Sequence, residues 1–180
     1  MEDRADIDYT ELATLIKQWG RTLGFQQVGI SDTELTEAEH HLQAWLNKGY
    51  HGEMGYMERH GAKRTRPSLL LPGTQRVISV RMDYLPDEED PRAILDDPVR
   101  AFVSRYALGR DYHKVLRRRL QRLAERITAR VGPFGYRAFV DSAPVMEKAL
   151  AQKAGLGWIG KHTNLIHQEA GSWFFLGELY

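Results

Sequence analysis

Three stretches hold residues whose type and spacing could do chemistry. Asp141 follows the apolar pair Phe139-Val140 and precedes Ser142-Ala143-Pro144. A carboxylate at the C-terminal end of a strand lies where α/β proteins place their chemistry. Both a helix N-cap and a general acid use an aspartate at such a place, and a carboxyl desolvated beside an apolar group keeps a proton to give. Lys114, Arg118, Arg122, Arg126 and Arg130 recur every four residues, which stacks five cations along one face of a helix. Such a row fits a phosphate backbone and fits a solvated helix face equally. The third stretch, Gly155-Leu156-Gly157-Trp158-Ile159-Gly160-Lys161, matches G-x-G-x-x-G and the start of a phosphate loop. Both nucleotide motifs need a strand before and a helix after. Here a helix is predicted before it, and His162 stands where a phosphate loop carries Ser or Thr. The glycines then serve a helix cap and a tight turn, or let backbone approach a bulky cofactor beside Lys161 and His162.

Other chemistries are excluded. The chain has no cysteine, so it offers no disulfide, thiol nucleophile, thiolate zinc site or iron–sulfur ligand. Asp111-Tyr112-His113 approaches the cobalt-ligating pattern D-x-H-x-x-G, but Leu116 replaces the glycine, and His113 reads as a helix-start residue. No H-E-x-x-H, G-x-S-x-G or other metal-ligand spacing is present, so no metal site is expected.

These residues must be positioned by a core of ordinary size. The 180 residues carry 25 Lys and Arg against 24 Asp and Glu, a net charge of +1, with 42% apolar residues. One soluble domain over residues 1–180 is expected, in the cytoplasm, since no run is long enough to span a bilayer and the first residues lack a signal-peptide pattern. Apolar spacing predicts helices over 10–23, from a Thr36/Glu39 capping box to Gly49, over 111–131 and over 143–154. Strands are predicted at 25–30, 76–84, 137–141 and 173–176. Residues 49–67 read as an ordered loop, and 85–99, with three prolines and six acidic residues, as a mobile acidic loop. The alternation predicts an α/β (α+β) fold, helices packed on a mixed central sheet.

Several stretches, taken in order, resemble the epoxyqueuosine reductases. They are Phe25-Gln-Gln-Val-Gly-Ile, Tyr50-His-Gly-Glu-Met, Lys63-Arg64 through Pro67 with Leu69-Leu-Leu-Pro, and Val77-Ile-Ser-Val. Further along stand Ser104-Arg-Tyr-Ala-Leu-Gly-Arg-Asp-Tyr-His-Lys, Phe139-Val-Asp-Ser-Ala-Pro and Lys153-Ala-Gly-Leu-Gly-Trp-Ile-Gly-Lys-His. The resemblance covers the amino-terminal, cobalamin-binding half of the family pattern. It implies a corrinoid-binding domain, and reduction of epoxyqueuosine to queuosine at the wobble position of tRNA by a cobalamin-mediated, two-electron deoxygenation. It implies Asp141 as proton donor and cofactor contact. Arg64, Ser104, Lys161, His162, Leu165 and Leu176 are the other cofactor contacts it implies, with Lys114, Arg118, Arg122 and Arg126 facing the anticodon stem-loop. The family continues into a ferredoxin-like domain with two [4Fe–4S] clusters, which a cysteine-free chain cannot ligate, so electrons must come from outside it. The alternative is a non-catalytic corrinoid- or tRNA-binding module that needs a partner for electrons.

Overall fold

The computed structural model describes residues 7–85 and 90–180. Helix α1, Tyr9–Thr22, starts where the Asp8 carboxylate accepts the Thr10 and Glu11 amides at 2.8 and 3.1 Å. It lays Leu12, Ile16 and Trp19 on the core, as its spacing predicts. Strand β1, Gln27–Ser31, and helix α2, Thr36–Asn47, follow. The expected capping box does not form. Leu35 is the cap residue, the Glu34 carboxylate accepts the Thr36 amide, and Glu39 instead forms a bidentate pair with Arg66. Residues 48–66 are turns ending in a 3₁₀ turn, Gly61–Arg64, and lead into the short helix α3, Pro67–Leu70.

Strand β2, Val77–Asp83, is followed by the stretch predicted as an acidic loop. Residues 86–89 of it lie outside the described residues, and Pro91–Leu95 form a helix, α4, capped by Asp90. Proline at the first helical position, preset for helix and needing no amide partner, explains the turn of helix there. Helix α5, Tyr112–Val131, runs 20 residues and buries Leu116, Leu120, Leu123, Ala124 and Ile127. Strand β3, Ala138–Phe139, is shorter than expected. Helix α6, Glu147–Lys153, begins four residues later than expected, because 141–146 form successive tight turns. A small hairpin, β4 (Trp158–Ile159) and β5 (Leu165–Ile166), precedes β6, Phe174–Leu179.

The main sheet has the order β1-β2-β6-β3. Helices pack on it as expected, but the sheet is not mixed: all three pairings are antiparallel, because β6 lies between β2 and β3 and runs against both. Alternate residues of the sheet choose opposite covers. Val28, Val80, Met82 and Leu179 join α1 and α5 in one core cluster, whereas Val77 and Phe139 pack with Leu150 of α6. A third cluster joins Ala151 and Leu156 to Leu165, Phe174 and Leu176.

The approach of α6 to β1 leaves no room at Gly29. A Cβ there would stand 2.2 Å from the Ala154 carbonyl oxygen and 2.4 Å from Leu156 Cδ1. Overpacking against backbone costs about 1–3 kcal/mol. The variant Gly29→Ala is therefore expected to lower the unfolding free energy by that amount, seen as a lower urea midpoint with an unchanged m-value in equilibrium denaturation followed by circular dichroism.

Candidate active site

The loop after β3 places Asp141. The Ser142 amide donates to the Val140 carbonyl at 2.6 Å and the Ala143 amide to the Asp141 carbonyl at 2.8 Å, so the chain folds through two three-residue turns in succession. Asp141 takes φ +52°, a left-handed conformation that side chains other than Gly, Asn and Asp rarely adopt. The turn aims its carboxylate at the start of α5. There the Tyr112 hydroxyl donates to Asp141 Oδ2, and His113 Nε2 stands 3.4 Å from the same oxygen. The other face of the imidazole is held by Asp111, the cap of α5, whose Oδ1 lies 3.0 Å from His113 Nδ1 and accepts the His113 amide at 3.0 Å. The His113 contact holds the Asp111 carboxyl below its ordinary range. Burial, and then the hydrogen bond to Asp141, push the Tyr112 hydroxyl well above its ordinary range.

Tyr112 is fixed from three sides. Its ring stacks on Phe175 of β6 at 3.9 Å between centroids, on His113 at 4.0 Å, and meets Tyr106 edge-on. Tyr106 belongs to the 3₁₀ turn Arg105–Ala107, directly after Ser104, so the Ser104 segment joins the Asp141 site through two tyrosine rings. The residues flanking Ser104, namely Phe102, Val103, Tyr106 and Leu108, are exposed and apolar.

Behind Asp141 lie two carboxyls that the sequence patterns do not point to. Glu147 opens α6, and burial, then the Asp141 charge, raise its pKa to about 7. Glu178 of β6 is 1% exposed, and neither of its side-chain oxygens has a hydrogen-bond partner. Burial, then Glu147 and Asp141, push Glu178 well above the carboxylate range. One signal could have found it: Glu178 is the single charge in the apolar run from Trp173 to Tyr180.

The other expected residues are dispersed. Arg64 closes the 3₁₀ turn after residue 60 and donates from Nη2 to the Tyr56 carbonyl at 3.0 Å. Its Nε is buried without a partner, and burial pulls the guanidinium below its ordinary range. Lys161 and His162 are exposed in the turn joining β4 to β5, beside the exposed Trp158 and Ile159. Leu165 and Leu176, 3% and 9% exposed, are enclosed in the third core cluster, where they fill space between α6 and the sheet.

The glycine-rich stretch is no nucleotide loop. The Leu156 amide bonds back to the Ala151 carbonyl across Gly155, capping α6, and the chain then enters the β4–β5 hairpin instead of a helix. At Gly157 a Cβ would stand 2.2 Å from the Ile166 carbonyl oxygen, so the glycine is needed for that crossing.

The basic face of α5 divides. Lys114, Arg118 and Arg122 line an open groove with Arg117, Gln121 and Glu125. Arg126 turns onto α1, donating to Thr22 Oγ1 at 2.5 Å, and Arg130 pairs with Glu11 at 3.4 Å. An apolar cavity of about 920 Å³ between α1 and the ends of β2 and β6 contains none of the expected site residues. Among the described residues no three His, Asp or Glu side chains are grouped to hold a metal ion, and no helix is long and apolar enough to cross a membrane.

Comparison with known proteins converges on one family. The family described as "Epoxyqueuosine reductase QueG, DUF1730" matches residues 64–142, a segment that begins at Arg64 and includes Ser104 and Asp141. The epoxyqueuosine reductase of Pseudomonas aeruginosa is 67% identical over 173 residues, 96% of this chain and 48% of that protein. The solved epoxyqueuosine reductase from Streptococcus thermophilus superposes with a TM-score of 0.79 at 28% identity, over 92% of this chain and 44% of the other. A further solved epoxyqueuosine reductase, bound to an epoxyqueuosine-modified tRNA stem loop, superposes at 0.77 and 23% identity, over 96% and 45%. The chain thus spans about half the length of the relatives it matches, corresponding to their amino-terminal half.

The buried carboxyls set a pH dependence. A glutamate whose pKa rises from 4.5 unfolded to about 7 folded binds its proton more tightly in the native state. That stabilisation is complete below pH 4.5 and is lost as pH rises through 7. For Glu147 it amounts to on the order of 3 kcal/mol. Unfolding free energy measured by urea titration is expected to fall by that order between about pH 5 and pH 8, and Glu147→Gln is expected to flatten the decline.

Proposed function

We propose that this chain, which resembles the amino-terminal half of the epoxyqueuosine reductases, binds cobalamin beside Asp141 and serves the reduction of epoxyqueuosine to queuosine in the anticodon loop of tRNA. The observation that carries the reading is the Tyr112–Asp141–His113 arrangement. It falls in a segment that the family matches, and it presents a half-exposed carboxyl held by a tyrosine hydroxyl in a strained turn.

The residues present fit a corrinoid, a broad and mostly apolar ring with amide edges. Arg64 offers its unpartnered buried Nε as a donor to an amide oxygen or phosphate. The exposed apolar residues around Ser104, and Trp158 and Ile159 ahead of Lys161 and His162, offer surface for the ring. When bound and reduced, cobalamin supplies a cobalt nucleophile for opening the epoxide. Asp141 then holds the proton for the opened oxygen, Tyr112 and His113 fix the carboxylate that gives it, and the aromatic wall of Tyr106, Tyr112 and Phe175 keeps water from its inner side. Electrons come from an external donor, in the family the [4Fe–4S] clusters of the other half. The open basic groove on α5 follows the phosphates of the stem-loop. We place this work in the cytoplasm, with the tRNA.

A visible-absorbance titration with cob(II)alamin tests the cofactor site. Saturable binding is expected, weakened about tenfold by Arg64→Ala, equivalent to about 1.4 kcal/mol. Binding unchanged in that variant would remove Arg64 from the site, and no spectral change in the wild-type chain would overturn the cofactor reading for it. A second titration, of a tRNA stem-loop at several salt concentrations, tests the groove. Arg118→Ala and Arg122→Ala are each expected to reduce the slope of log K against log salt by about 1. Arg126→Ala, whose guanidinium is engaged by Thr22, is expected to change it little.

A further inference from the structure

The Phe175 ring that Tyr112 stacks on is itself one of a continuous row. Phe175 meets Tyr84 at 4.4 Å between centroids, and Tyr84 meets Trp173 edge-on at 6.2 Å. Tyr84 directly follows β2 and Trp173 directly precedes β6. The Tyr84 amide donates to the Trp173 carbonyl at 3.1 Å, so the two residues prolong the β2–β6 pairing by one step. Alternation along the strands puts Tyr84 and Trp173, with Met82 and Phe175, on the sheet face that α5 covers. Tyr112 lies over Phe175, and Leu116 and Leu120 close on Gly177, so α5 runs away from Trp173. The outer rings of the row therefore lie beyond the start of the helix.

Trp173 belongs to none of the three core clusters and is 47% exposed, yet its place is fixed. Its carbonyl is held by Tyr84, and the preceding residue, Ser172, donates from Oγ to the Leu165 carbonyl at 2.8 Å. A large flat side chain held in this way loses little freedom when a second flat group settles on it. The carboxylate of this stretch, Asp83, points to the opposite face of the sheet and pairs with Arg81 at 2.9 Å. Cations begin within the first turn of α5, where Lys114, Arg117, Arg118 and Arg122 line the open groove of the helix that Tyr112 starts. A half-open indole beside a row of cations matches the chemistry of an unpaired nucleotide, with phosphate on the cations and base on the ring. An apolar peptide or a lipid tail would leave those cations without a role.

We propose that Trp173 is a stacking platform for an unpaired base next to the wobble nucleotide of a tRNA anticodon loop, with Tyr84 bracing its ring. The inference rests on the proposed function, which makes such a loop the substrate. A nucleoside brought to Asp141 must leave the stack of its loop, and its neighbours then lose a stacking partner. Trp173 replaces that partner. It is joined to Asp141 through Tyr84, Phe175 and the Tyr112 hydroxyl, so the row of rings that positions the acid also positions the loop. Every base has a flat face, so the platform holds the loop without reading its sequence.

Fluorescence-anisotropy titrations of this chain with a labelled anticodon stem-loop test the platform. Trp173→Ala is expected to weaken binding about tenfold, within the range for one base on an aromatic ring, and to leave the slope of log K against log salt unchanged. Trp173→Phe, which keeps a flat ring, is expected to recover most of the loss. A stem-loop with abasic sites on both sides of the wobble nucleotide is expected to bind the wild-type chain about tenfold more weakly, with no further loss in Trp173→Ala. Unchanged stem-loop affinity in Trp173→Ala, or the same tenfold loss on the abasic loop, overturns the platform. The abasic RNA leaves the protein unaltered, so wild-type indifference to it overturns the platform even where Trp173→Ala disturbs the fold. A tenfold loss of cob(II)alamin affinity in Trp173→Ala also overturns it, by giving the indole to the corrinoid. A wild-type chain that binds no stem-loop overturns the tRNA reading itself, whereas wild-type binding that the variant retains overturns the platform alone.

Discussion

Strand β6 is covered on both faces, and most of the structure follows from how its six residues divide between the two covers. On one face Gly177 admits α5, with Leu116 and Leu120 side chains 3.1 and 3.2 Å from where a Cβ would be. Phe175 on the same face stacks under Tyr112 and fixes the start of that helix. On the other face Phe174 and Leu176 pack with Leu156 and Leu165, and Glu178 lies under α6. A strand between two paired neighbours and two helices cannot slip by one residue without driving Glu178 into the leucines of α5. Its register therefore fixes the height of α5 and α6 relative to each other, and with it the distance across which the Asp141 turn must reach.

That turn is the second constraint. Strand β3 ends after two residues, and the chain must come off the sheet edge, deliver Asp141 to the α5 terminus, and still enter α6. It does so with a left-handed Asp141 and consecutive three-residue turns, so α6 cannot start before Glu147. The late start is what sets Glu147 at the head of α6. A helix beginning at Ala143, as the apolar spacing predicts, would carry Glu147 a full turn into the helix.

Much of this is legible in the sequence where one period dominates. The α1 and α5 spacings and the failure of the glycine motif read directly from residue types. The misses have local causes. Glu39 finds a better partner in Arg66 than in the helix cap it could have closed. The β4–β5 hairpin has two residues per strand, too few for any period to show. Strand β6 extends to Leu179, beyond the predicted Leu176, because Gly177 and Glu178 break the apolar run that marks a strand buried on both faces. The basic row of α5 reads as one stripe, but helix α1 crosses its C-terminal half and takes up Arg126 and Arg130. Only the half nearest Asp141 remains open.

The places where local rules fail are not scattered. A carboxyl buried without a partner costs about 1–3 kcal/mol, and a left-handed non-glycine residue costs of the same order. Both occur here on either side of the first residue of α6, at Glu178 and Asp141. A leucine at 178 would extend the third apolar cluster and a glycine at 141 would relieve the turn, and either exchange would favour the fold. The sheet instead buries an unpartnered carboxyl at Glu178, and the turn after β3 presents Asp141 to a tyrosine and a histidine. Sequences that specify a fold well depart from local consistency mainly where a site requires it. Two such departures, the left-handed Asp141 and the unpartnered Glu178, mark the elements around the start of α6.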